Sequence, residues 1–151
     1  MKNILAVLLP AKADNIVRGM QLPFYAFAAI AIVGTVRSCT HLLAPDGGAG
    51  SIAGMDLSAG RDGIVFAFAL WGSAQLVYAA IQLVVVFRYR SLVPFMYVMV
   101  ILEILLRMLV GRMKPVTFTH APPGAIGNYV VLPLAFLMLA LCFRNVRGEC
   151  F

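Results

Sequence analysis

Long apolar stretches alternate with short polar or glycine-rich segments along this chain, over 21–40, 63–87, 91–111 and 124–143. Each approaches the ~20 residues that carry a helix across ~30 Å of hydrocarbon at ~1.5 Å per residue. Alternating segments are too few to close a barrel, so helices are the structures that can satisfy the backbone within lipid. The pattern predicts an all-α fold, an integral membrane four-helix bundle over residues 21–151, preceded by a short interfacial segment over 1–20. In that segment the apolar run Ile4–Leu9 stops at Pro10. Lys2, the run and Ala11-Lys12-Ala13 resemble a secretory signal, but the run falls short of the ~7–15 residues of a signal core. The segment reads as uncleaved, with Lys12 and Arg18 at the lipid surface.

Composition sharpens the picture. Apolar residues make up 62% of the 151 and charged residues 12%, against roughly 45–50% and ~25% in soluble domains. So much apolar surface cannot hide inside a water-facing globule of this size, which excludes a soluble enzyme, a disordered tail and a nucleic-acid module. The net charge of +6 comes from basic residues set singly at the ends of apolar runs, the pattern of charges that stop helices at a membrane surface. Lys2, Lys12, Arg18, Arg88, Arg90, Arg144 and Arg147 fall on the side of the termini, against Arg61, Arg112 and Lys114 on the other. That asymmetry places both termini in the cytoplasm and the chain in the cell membrane as a multi-pass protein. Arg88-Tyr89-Arg90 is so short a connection that spans two and three are expected to form a tight antiparallel hairpin.

The candidate chemistry lies among polar residues inside the spans. Glu103 and Arg107 are spaced i,i+4, so their side chains share a helix face. Together they cost ~5–7 kcal/mol at a bilayer centre, against ~4–7 kcal/mol returned by the Leu, Ile, Val and Phe of that span. The span needs partners. At ~1.5 Å per residue, Arg37, Trp71, Glu103 and Arg107 fall in one layer of the outer leaflet. Trp71, Gln75, Tyr78 and Gln82 follow i, i+4, i+7, i+11 on one face of span two, a stripe expected to point inward. Small residues on span two (Ala67, Gly72, Ala74, Ala79) and span one (Ala26, Ala28, Ala29, Gly34) are expected to allow close helix approach. Glu103 is expected within salt-bridge reach of Arg107 and Arg37, as an ion-pair network holding the bundle, as a ligand or catalytic site, or as a contact to another subunit. The candidate ligand-binding residues are Arg37, Trp71, Gln75, Tyr78, Glu103 and Arg107.

Other features carry less. His41 and His120 are expected in outer loops rather than as haem or metal ligands. Cys39, Cys142 and Cys150 show no CxxC or metal spacing, and Cys39 falls on the opposite face from the other two. Pro94 and Pro133 are expected to permit kinks, and Tyr25, Tyr97 and Tyr129 to serve packing or the interfacial belt. The outer segment 42–62 is rich in Gly and Ala and is expected to form a flexible or re-entrant flap. Its Gly48-Ala49-Gly50-Ser51-Ile52-Ala53 matches GxGxxA, but a dinucleotide site needs a strand before it and a helix after it.

That glycine-rich segment, Gly60-Arg61-Asp62-Gly63 at the start of span two and Leu105-Leu106-Arg107…Gly111-Arg112 at the end of span three resemble the DoxX-like group of small four-helix membrane proteins. The resemblance covers roughly Arg37–Lys114 and implies the fold more than an activity, since members are linked to redox complexes or have no assigned role. The chain lacks the CxxC of quinone-linked thiol oxidoreductases and the Arg/Asn/Glu pattern of membrane glutathione-transferase-like enzymes.

Three readings follow. The first is a non-catalytic accessory or assembly subunit of a larger membrane complex, with membrane lipids and other subunits or a second copy as partners. The second is a binding module for a lipophilic anion (a phospholipid, quinone or isoprenoid) in an outer-leaflet pocket. The third is an intramembrane enzyme using Glu103, disfavoured because a carboxylate paired with arginine is a poor acid and a weak base. No catalytic or metal-binding residue is assigned and the cofactor is unknown; a nucleic-acid partner is excluded.

Overall fold

A computed structural model describes residues 4–144. The described chain is all-helical: α1 (Ile4–Leu8), α2 (Gln21–Leu43), α3 (Arg61–Arg88), α4 (Val93–Met113) and α5 (Pro123–Arg144). A 3₁₀ turn at Arg90–Leu92 joins α3 to α4. Helices α2 to α5 are long and apolar enough to cross a membrane, giving the architecture of a multi-pass membrane protein built as a four-helix bundle.

Local signals set the helix ends. Pro23 occupies the first turn of α2, where its missing N–H costs nothing. Ala44 leaves that helix in an extended conformation just before Pro45. Gly60, left-handed at φ 70°, precedes α3, and Asp62 in the first turn complements the helix dipole. Pro94 stands in the first turn of α4. It therefore starts a helix instead of kinking one, contrary to the expectation from sequence. Pro133 lies inside α5. Each helix runs a few residues past its apolar stretch. His41 is thereby drawn into the last turn of α2.

The helices run up and down, so the N-terminal segment and the 89–92 turn share one end. There Ser91 donates its backbone N–H to Asp14 O at 3.2 Å, and Asp14 N–H donates to Ser91 Oγ at 2.9 Å. The Arg90 guanidinium lies 4.8 Å over the Phe24 ring. Segments 44–60 and 114–122 form the other end, where Thr119 N–H donates to Gly54 O at 2.8 Å. Gly54 is left-handed, and a Cβ there would stand 2.6 Å from the His120 ring; only glycine allows this junction.

The pairing of helices differs from the hairpin expected for α3 and α4. α3 packs along α2 and α4 packs along α5, while α3 and α4 make little backbone contact despite their short connection. Side-chain volume explains the choice. On the α2–α3 side, a Cβ on Gly72 would stand 2.8 Å from both His41 Cβ and Leu42 N, so the backbones meet there. Gly34 faces Gln82, and Ala79 is buried nearby. Ala29, Ala67 and Ala74 are exposed and take no part in the close approach expected of them. Between α3 and α4 stand Trp71, Tyr78, Met99, Leu102 and Leu106, which hold the two helices apart.

The apolar core occupies the half of the bundle nearest the termini. Phe24, Phe27 and Ala31 of α2 recur at helical spacing and meet Val85 and Val86 of α3, Met96, Tyr97 and Val100 of α4, and Ala135 and Met138 of α5. Tyr97 is fully buried and donates its hydroxyl to Pro23 O at 2.6 Å. Tyr25 and Tyr129 are exposed on the bundle surface. Phe66, Leu70, Val77, Ile81, Val84 and Phe87 form an exposed apolar stripe along α3, the surface a lipid-facing helix presents. Cys39 and Cys142 are free thiols; Cys150 lies outside the described residues.

Candidate functional site

The polar residues of the spans collect in the other half of the bundle, above the apolar core. On α2, Arg37 and His41 are one turn apart and face α3. On α3, Trp71 and Gln75 are also one turn apart and meet them. The Arg37 guanidinium lies 5.3 Å over the Trp71 ring, a cation–π contact worth more where water is excluded. Arg37 Nη2 donates to Gln75 Oε1. The same amide donates through Nε2 to Glu103 Oε1 on α4 at 2.6 Å.

Glu103 is the meeting point of the two helix pairs. Arg107 Nη1 approaches Glu103 Oε1 at 3.4 Å and Arg37 Nη2 approaches it at 4.0 Å. The carboxylate therefore faces the two guanidiniums expected from matched depth, with Gln75 inserted as the bridge to Arg37. All three charged side chains are about three-quarters buried, at 30%, 26% and 24% exposure for Arg37, Glu103 and Arg107.

Donors outnumber acceptors in this layer. Tyr78 Oη, Arg107 Nε and Arg107 Nη1 are buried and have no hydrogen-bond partner in the protein. Two guanidiniums against one carboxylate leave one positive charge in excess, in a medium that penalises an uncompensated charge.

A cleft of about 310 Å³ lies between α3 and α4 beside the network, lined by Trp71, Ala74, Gln75 and Tyr78 from α3 and Met99, Leu102, Glu103 and Leu106 from α4. Ala74, Leu102 and Leu106 are exposed at its mouth, on the outer surface of the bundle. Of the expected stripe, Gln82 is fully buried against α2, while Trp71, Gln75 and Tyr78 are half-buried and form the cleft wall. Arg37 and Arg107 reach the cleft through the wall residues they contact, Arg37 through Gln75 and both through Glu103.

His41 corrects an expectation. It is buried within α2 and not placed in a loop: Nδ1 lies 2.7 Å from Gly47 O, and its ring lies tilted 4.8 Å from Trp71 and edge-to-face 5.6 Å from Phe68. Helical spacing carried the signal, since His41 follows Arg37 by one turn and Phe68 precedes Trp71 by nearly one. His120 does lie outside the helices, exposed, with Nε2 3.2 Å from Ile52 O.

The segment after α2 is also unlike the flap expected. Residues 44–54 form consecutive turns with Ala49 and Ala53 buried. Asp46 organises them, accepting from Gly48 N–H at 2.8 Å and from Ser51 N–H at 2.7 Å. The Ser51 and Gly48 amides hold the Asp46 carboxyl down to about 2. The GxGxxA match therefore sits in turns with no strand before it. Among the described residues, no group of three or more His, Cys, Asp or Glu side chains is placed to hold a metal ion. No protein-family model matches the chain, and comparison with curated proteins and with solved structures finds no significant match.

Proposed function

We propose that this protein is a membrane-embedded binding module for a lipophilic anion, received in the cleft between α3 and α4. The observation that carries the reading is the excess of buried positive charge and donors: Arg37 and Arg107 share the single Glu103 carboxylate, and Tyr78 Oη and Arg107 Nε have no hydrogen-bond partner in the protein. A ligand oxyanion would supply both the acceptors and the missing charge, and its tail would lie along Met99, Leu102 and Leu106. Glu103 acts in this reading as an organiser of the two arginines.

The remaining expectations are proposals of the same kind. The basic residues near the termini, Lys12, Arg18, Arg88, Arg90 and Arg144, against Arg61, Arg112 and Lys114 at the other end, support a cytoplasmic location for both termini in the cell membrane. The cleft then opens in the outer leaflet. Membership of the DoxX-like group rests on the motifs over 37–114. An accessory role in a larger complex stands second, because the exposed apolar faces that support it are equally what lipid requires.

Purification in mild detergent followed by native mass spectrometry tests the reading. A lipid-sized anionic adduct is expected on the wild-type protein and is expected to be lost in Arg37→Gln and Arg107→Gln. Stable co-purifying proteins with no lipid adduct would favour the accessory role instead.

A further inference from the structure

Resting on that reading, we infer that the ligand is an amphiphile whose head carries one negative charge. Three features of the site point there, and each excludes a different alternative.

The first is charge. Arg37 and Arg107 against Glu103 leave one positive charge in excess. A neutral head leaves that charge uncompensated, and a dianion such as a phosphate monoester replaces it with a net negative one. Either outcome strands a charge where its solvation by water is lost. A monoanion closes the balance.

The second is the donor set. Tyr78 Oη and Arg107 Nε are buried without hydrogen-bond partners, while Glu103 Oε1 takes the Gln75 amide and faces both guanidiniums. Each of the two unpartnered atoms has a proton to donate, so a head with acceptor oxygens suits them. An ammonium head would bring only further donors and a second excess charge, and an alcohol, although its oxygen accepts, brings no charge.

The third is shape. One row of residues from each helix, Trp71 to Tyr78 and Met99 to Leu106, walls the cleft. Its volume of about 310 Å³ is that of roughly ten water-sized groups, room for part of one acyl chain. Ala74, Leu102 and Leu106 leave the mouth open to lipid, so the rest of the chain can continue outward. A bare inorganic anion would use none of this wall.

Binding of radiolabelled probes to the full-length protein in phosphatidylcholine nanodiscs tests the inference. Hexadecylsulfonate supplies one charge, hexadecyl phosphate at about pH 8, above its second pKa near ~6, supplies about two, and hexadecanol supplies none. Hexadecylsulfonate is expected to bind at least about tenfold more tightly than either, a difference of about 1.4 kcal/mol. Arg107→Gln is expected to remove that preference and leave hexadecanol unchanged. Glu103→Gln, which raises the excess to two charges, is expected to move the preference to hexadecyl phosphate. Ala74→Phe fills the exposed mouth without touching a charge, so it keeps the test sound if a charge variant fails to fold; it is expected to abolish binding of the sulfonate. Methanesulfonate, the head without the chain, is expected not to compete.

Hexadecyl phosphate binding as tightly as the sulfonate to the wild-type protein overturns the single-charge inference and leaves the anion reading standing. Competition by methanesulfonate as strong as that of the long-chain probe overturns the amphiphile and leaves an anion site. No preference for either anion over hexadecanol overturns both this inference and the proposed function.

Discussion

Gln75 donates its amide to Glu103 at 2.6 Å, and this bond joins helices whose backbones barely touch. The short turn after α3 leaves α3 and α4 apart, so a side chain has to cross the gap. Gln75 can do so because an amide both donates and accepts, taking Arg37 on its oxygen while giving to the carboxylate. Replacing it with Leu keeps the size and removes both functions. Gln75→Leu is expected to lower unfolding free energy by about 2–4 kcal/mol, since hydrogen bonds to charged groups are worth ~1.5–3 kcal/mol each. Denaturant titration in mixed micelles measures it; a loss below the error of that titration would show that the bridge holds nothing.

The pair at Glu103 and Arg107 has a sharper signature in combination. Each single change, Glu103→Gln or Arg107→Gln, leaves a buried charge with less compensation, for which the expected loss is ~3–5 kcal/mol. The double variant removes one charge of each sign and should lose less than the two singles added together. Strict additivity in a double-mutant cycle would contradict the 3.4 Å pairing between them.

Two glycines on facing helices should respond in opposite ways to the same methyl group. At Gly72 a Cβ would meet His41 and the α2 backbone at 2.8 Å, whereas at Gly34 its nearest neighbour is Gln82 Oε1 at 3.7 Å. Gly72→Ala is expected to cost about 1–3 kcal/mol through forced helix separation. Gly34→Ala should be neutral or slightly stabilising, because it removes glycine's helix penalty of roughly 1 kcal/mol. Thermal unfolding of the two variants side by side decides this.

The turns after α2 should weaken in acid. The Asp46 carboxyl is held down to about 2 by the amides of Ser51 and Gly48, below the ~3.9 of an unfolded chain. Because the folded value is the lower one, the stabilisation is fully present above about pH 4 and is lost as pH falls toward 2. Hydrogen exchange of the Gly48 and Ser51 amides, corrected for intrinsic rates, should accelerate over that window. In Asp46→Asn the acceleration should be present at neutral pH and should no longer change with acid.

Orientation is open to labelling in intact cells. Cysteines placed at Ser58 and at Tyr89 lie at opposite ends of the bundle, both exposed. With Cys39 replaced by Ser, an impermeant maleimide should reach position 58 from outside and position 89 only after permeabilisation. The reverse result would invert the protein in the membrane.

Much of the site was legible along the chain, because it depends on local geometry. The rise per residue put Arg37, Trp71 and Glu103 at one depth, and helical periodicity put Trp71, Gln75, Tyr78 and Gln82 on one face. The structure joins Arg37, Gln75, Glu103 and Arg107 at that depth. His41 was misplaced because its helix runs beyond the apolar stretch that marked its end. The last turn is held by ring contacts with Trp71 and Phe68, partners some thirty residues away in sequence.

The order of apolar and polar residues is enough to make this chain a bundle of four membrane-length helices. That property rests on apolar content summed over each segment and on the demand that every backbone group be satisfied within it, and neither needs a neighbour. Which helices pair was decided only in three dimensions. Lateral packing depends on the volumes that meet across the gap: Gly72 lets α3 lie against α2, and Trp71, Tyr78, Met99, Leu102 and Leu106 keep α3 from α4. The cleft exists because of that second set. Along the chain these residues are merely more apolar and aromatic positions in spans full of them, and only the fold places them opposite one another.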